Sequence, residues 1–156
     1  LSKILRDKLD KVFSKMVSAS IEQQDVELSP YVEEYVVEVV ADLSSATHTM
    51  AAKPLFINDL LRKGLDSDGL IRREYLRLTG DVALFVSGIF PDSLGTKRFV
   101  FTVGDFIDIG QTAYSCIDND IFDELASKFP QVVDALNTVS IEARLTSDDI
   151  TRYIAR

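Results

Sequence analysis

Between Leu70 and Phe90, apolar side chains stand at Ile71, Tyr75, Leu78, Val82, Phe85 and Ile89, at spacings of four, three, four, three and four. This rhythm holds one stripe on one face of an α-helix for about six turns. The opposite face changes character along the way: it carries Arg73 and Arg77 first, then Gly80, Leu84, Ser87 and Gly88. Small residues let a neighbouring backbone approach closely, so the second half is expected to be buried on both sides. The segment therefore reads as a central helix around which the rest of the chain must wrap.

The flanking sequence supplies helices for that role. Leu5, Leu9, Val12, Met16 and Ala19 form a helical stripe, and Ser20 to Ser29 is polar enough to break it. Ser29-Pro30 reads as an N-cap with proline at the first helical position. Val32, Val36, Val39, Val40 and Leu43 then continue to about Thr47, the acidic face Glu33, Glu34 and Glu38 favouring helix over strand. Leu55 to Leu61 reads as a short helix and Gly64 to Gly69 as a loop. Pro91 ends the central helix. Arg98 to Val103 is rich in β-formers, and Thr102 with Asp105 has the spacing of a capping box opening a helix to about Ile117. Asp120 is placed to cap a helix ending at a Pro130 corner. Val132, Val133, Leu136 and Val139 define another, and Thr146 with Asp149 a last short one. The expected fold is all-α: a single domain over residues 1–156, with six to eight helices around the one near 70–90.

Composition narrows the function. At 156 residues the chain can bury roughly 70% of its unfolded surface, so neither metal nor disulfide is needed to fold it. Its net charge of −8 argues against nucleic-acid phosphates or an anionic membrane as main partner. No apolar run approaches the ~20 residues that span a bilayer, and the basic N-terminal helix (Lys3, Arg6, Lys8, Lys11) is unlike a signal peptide. A cytoplasmic location is the expectation. Cys116 is alone, so no intrachain disulfide forms. His48 is also alone, which removes the usual Cys/His zinc site and the Glu-x-x-His pairs of di-iron bundles. Both read as ordinary packing or capping residues.

Few motifs carry chemistry. Gly64-Leu65-Asp66-Ser67-Asp68-Gly69-Leu70-Ile71 resembles a calcium loop, but aligning Gly69 as its turn glycine leaves Gly64 and Tyr75 where oxygen ligands belong. Asp118, Asp120, Asp123 and Glu124 suit the positive end of a helix without any metal. The chain has no Gly-x-Gly-x-x-Gly, no Walker phosphate loop and no His-Glu-x-x-His. What remains is a polar constellation: Arg73, Tyr75, Arg77 and Asp81 on the central helix, with Asp108 and Tyr114 on a later one. Arg77 and Asp81 lie one turn apart and can pair. Because Asp81 opens the apolar run to Phe90, its carboxylate is expected to be desolvated. Its loss should destabilise the fold, and removing Arg77 as well should recover part of that loss.

Glu74 to Phe85, then Gly88-Ile89-Phe90-Pro91, resembles blocks of a small family of uncharacterised bacterial all-helical proteins. Asp108-Ile109-Gly110-Gln111-Thr112-Ala113-Tyr114 and Phe122 through Phe129-Pro130 are similar to later blocks, so the resemblance spans roughly residues 70–140. It implies bacterial origin and a helical domain, and it brings no activity. The functional expectation is a non-enzymatic interaction or regulatory domain, without cofactor or metal, acting through a protein partner or as a homodimer along the first helix's seam. The alternative is a small-ligand-binding protein or enzyme using Arg77, Asp81 and Tyr114. A pocket lined by those residues favours the alternative, and an exposed apolar stripe favours a partner.

Overall fold

The computed structural model describes the backbone of residues 3–45, 57–97 and 100–154, with side chains at 7, 11–44, 57–97 and 100–142. Among these residues there are six α-helices and no strand: α1 (Lys3–Gln23), α2 (Pro30–Ser45), α3 (Ile57–Leu65), α4 (Gly69–Ile89), α5 (Val103–Ser115) and α6 (Asp120–Ile154). The all-α expectation and the central helix both hold. α4 packs mainly on α3, α5 and α6, while α1 lies on α6 and α2.

The second half of α4 is enclosed as its small residues require. Every residue from Thr79 to Gly88 is buried. A methyl group on Gly80 would sit 2.2 Å from the Tyr114 ring, and one on Gly88 would sit 2.7 Å from Leu136. In α5, Gly110 stands in the same relation to the Phe129 ring, at 2.3 Å. These glycines set how close the helices come. Thr79 and Ser87 settle their buried hydroxyls on carbonyls one turn back, at Tyr75 and Ala83. The last carbonyls of α4 would be orphans in the core. Asn137 of α6 donates to two of them, Ser87 (3.0 Å) and Gly88 (2.8 Å), and the Ser140 hydroxyl donates to that of Ile89.

The capping box at Thr102 and Asp105 forms as expected, both bonds present. Proline opens α2 behind Ser29. Several other expectations need correction. Pro130 turns no corner, because α6 runs through it from Asp120 to Ile154, and no separate helix begins near Thr146. Proline lacks the N–H that would bond the Ala126 carbonyl four residues back. The Gln111 side chain of α5 supplies that donor, at 3.0 Å, and the helix continues. Asn119, not Asp120, caps α6: its side chain accepts from the Ile121 N–H. Val103 is already helical, so the β-forming run at 98–103 gives no strand in its described part, 100–103.

The stripes of α1 and early α4 also differ from expectation. In α1 the buried face is Val17, Ser20 and Ile21, while Val12 and Ala19 are exposed. The side chains of Leu5 and Leu9 lie outside the described residues, as does His48. Ser20 does not break the helix, since its hydroxyl donates to the Ala135 carbonyl of α6 (2.8 Å). In α4's first half the buried residue is Leu76, against Gly64 of α3. Ile71 and Leu78 face outward. The loop joining α3 to α4 is only Asp66–Asp68, because Gly64 is helical in α3 and Ile71 and Tyr75 in α4. The frame of a twelve-residue calcium loop is thus mostly helix.

Replacing Gly110 by alanine tests the close approach. Alanine favours an isolated helix by about 1 kcal/mol, yet here its methyl would collide with the Phe129 ring. Urea unfolding should show a net loss of roughly 1–3 kcal/mol, and a gain in stability would refute glycine's role as a spacer.

Candidate functional site

α4 passes from half-wet to fully enclosed at Asp81, and there the polar cluster forms. Asp81 is 5% exposed. Its Oδ1 accepts hydrogen bonds from the Tyr114 hydroxyl of α5 (2.6 Å) and the Tyr35 hydroxyl of α2 (2.7 Å). Its Oδ2 accepts from Arg77 Nη1 one turn earlier on α4 (2.8 Å). The guanidinium reaches outward as well, its Nη2 lying 2.9 Å from Glu74 Oε2. One carboxylate thereby ties three helices together.

Aromatic packing holds the two phenols in place. The Tyr35 ring meets Phe122 edge-on at 5.1 Å between centroids, and Tyr114 lies between Phe122 (5.4 Å) and Phe129 (5.9 Å). Tyr114 also presses on the bare backbone of Gly80, so its hydroxyl is held against the neighbouring Asp81. Every acceptor oxygen of Asp81 therefore has a positioned donor.

The electrostatics follow from this enclosure. Burial pushes the Asp81 carboxyl above its ordinary range, opposed by the hydroxyls of Tyr114 and Tyr35 and by Arg77. Burial, with the neighbouring Asp81 charge, raises both tyrosine hydroxyls as well. The Glu74 hydrogen bond leads the causes that raise Arg77, and Arg77 in turn lowers the exposed Glu74.

Of the six residues singled out by sequence, Arg77, Asp81 and Tyr114 come together. Arg73 and Asp108 are exposed on α4 and α5 and stand outside the cluster. Tyr75 is half-buried on another side of α4, beside Gly64. Tyr35 was missed, 46 residues before Asp81 in the chain. The available signal was a hydroxyl-bearing ring beside the core residues Val32 and Val36 of α2. Cys116 is half-buried, and no group of three potential metal ligands gathers among the described residues.

A surface concavity lies beside this cluster without reaching Asp81, Tyr114 or Tyr35. It is a shallow groove of about 330 Å³ on the outer face of α4's first half, lined by Leu70, Ile71, Glu74, Tyr75, Arg77 and Leu78. Leu70 is 79% exposed and Ile71 64%. Only Arg77 belongs to both places.

Comparison of the chain with protein-family models, with curated proteins and with solved structures gave no match.

Two outcomes follow from the cluster. Asp81→Ala should cost roughly 2–4 kcal/mol, since each buried polar group left without its partner costs about 1–3 kcal/mol. The groups it strands are the two tyrosine hydroxyls, whereas Arg77 is 37% exposed and keeps Glu74. Tyr114→Phe, not Arg77→Ala, should therefore recover about 1 kcal/mol in the double variant, and rescue by Arg77→Ala alone would contradict this assignment. The second outcome concerns alkaline pH. The folded values of Tyr35 and Tyr114 lie above the unfolded value, so their contribution is complete below about pH 10 and is lost as pH rises toward the folded values. The urea midpoint should fall above about pH 10, and less steeply in Tyr114→Phe. Equal slopes would show that the buried phenol does not control the alkaline limb.

Proposed function

We propose that this chain is a non-enzymatic interaction domain that acts by binding a protein partner through the outer face of α4. The observation that carries this reading is the exposed stripe of Leu70, Ile71 and Leu78 on a helix whose second half is buried on all sides. Isolated surface leucines are ordinary, but adjacent large apolar residues around one groove are characteristic of contact sites.

The polar cluster supports the same choice. A ligand site needs unspent donors or acceptors facing a cavity. Asp81 is instead engaged by Tyr35, Tyr114 and Arg77, and neither Asp81 nor Tyr114 lines the groove. The cluster is built to fasten helices. Bacterial origin and a cytoplasmic setting belong to the same proposal, the first resting on the resemblance of residues 70–140. No described helix is long and apolar enough to cross a membrane.

Affinity capture from the source cell, comparing the wild-type chain with an Ile71→Ser/Leu78→Ser double variant, tests the reading. Both positions are exposed, so circular dichroism should show the variant folded. A protein retained by the wild type and lost by the variant is the expected result. A small metabolite recovered equally by both, with no protein, would reverse the reading in favour of ligand binding.

A further inference from the structure

The groove on α4 is short and has a definite charge setting. From Leu70 to Leu78 it runs two turns, about 12 Å. A stable two-fold dimer buries about 800 Å² on each partner, more than a stripe of this length offers. In the same turns α4 carries Arg72, Arg73 and Arg77 against Glu74 alone, within a chain of net charge −8. Arg77 is already engaged by Glu74 and Asp81. Among the described residues Arg72 donates to the carbonyls of Gly64 and Leu65 and pairs with no carboxylate. Arg73 is exposed. By helical spacing, Arg72 and Arg73 flank the apolar stripe on its two sides. A second copy of the chain would bring these arginines against their like.

We infer that the groove of Leu70, Ile71, Tyr75 and Leu78 docks a short amphipathic helix of a partner protein, apolar on its contact face and acidic along its edges. This deepens the interaction reading above and rests on it. Leucine-sized side chains at i, i+4 and i+7 match a two-turn seat, as in other helix-in-groove complexes. The flanking acids meet Arg72 and Arg73, which sets orientation and rejects basic helices despite the acidity of the chain as a whole.

The test uses fluorescence anisotropy with a labelled peptide of about 16 residues, long enough to hold helix. Its leucines stand at i, i+4, i+7 and i+11, with alanine and glutamate elsewhere, and a second probe carries lysine for glutamate. The glutamate probe should bind the whole chain. Ile71→Ser should weaken it about tenfold, a change of about 1.4 kcal/mol, and Arg73→Glu about threefold, while the lysine probe should bind at least about fivefold more weakly than the glutamate probe. A lysine probe that binds as well or better overturns the acidic assignment but leaves the contact surface standing. A dimer in sedimentation equilibrium that Ile71→Ser dissolves overturns it in favour of a second copy. If neither probe binds and the chain stays monomeric, the acidic-helix assignment is overturned, and the capture experiment with the double variant then decides separately whether the interaction reading survives.

Discussion

Enclosure of α4 on all sides from Thr79 to Gly88 governs most of what the other helices must provide. A helix buried all round has no water to satisfy its polar groups, and each one left unpaired costs about 1–3 kcal/mol. The neighbours therefore arrive with specific equipment. α5 and α2 bring hydroxyls to Asp81, and α6 brings the Asn137 amide and the Ser140 hydroxyl to the closing carbonyls. Glycines at 80 and 88 allow the rings and aliphatic chains of those helices to reach the backbone. Among the described residues, no buried side-chain nitrogen or oxygen lacks a partner.

The two ends of α4 thus have different roles. Its second half is the axis of the fold. In its first half the covered side is the one facing α3, where Leu76 packs on Gly64, and the outer side presents Leu70, Ile71 and Leu78. Asp81 marks the boundary, with Arg77 spanning it: one guanidinium nitrogen holds the buried carboxylate and another reaches the exposed Glu74. This snorkelling lets a charge on the groove floor stay solvated while it neutralises one in the core. The groove is consequently carried by the same helix whose second half is buried on all sides.

The long α6 shows the same logic in its interior. A proline at position 130 should interrupt a helix, and it does remove one donor. The missing bond is replaced from outside by Gln111, on the helix that Phe129 packs against through Gly110. Local sequence alone gives Pro130 as an end. A neighbour with a spare amide makes it an interior residue.

The sequence by itself determined the helical class, the central position of residues 70–90 and the capping box at Thr102 and Asp105, because these depend on periodicity and on contacts within one turn. It also brought out Arg77 with Asp81, a pair one turn apart. It did not determine which face of a stripe is buried where the helix has only one partner. Ile71 and Leu78 are as apolar as Val82 and Phe85 and keep the same rhythm, yet they lie outside, since that side of α4's first half meets no other described helix closely. Nor did it place Tyr35 on Asp81, or separate Arg73, Tyr75 and Asp108 from the cluster. Those outcomes depend on how helices far apart in the chain cross, and crossing is set by close approach at Gly80, Gly88 and Gly110. Residue spacing records the period of a helix, but only tertiary packing decides which neighbour fills each of its faces.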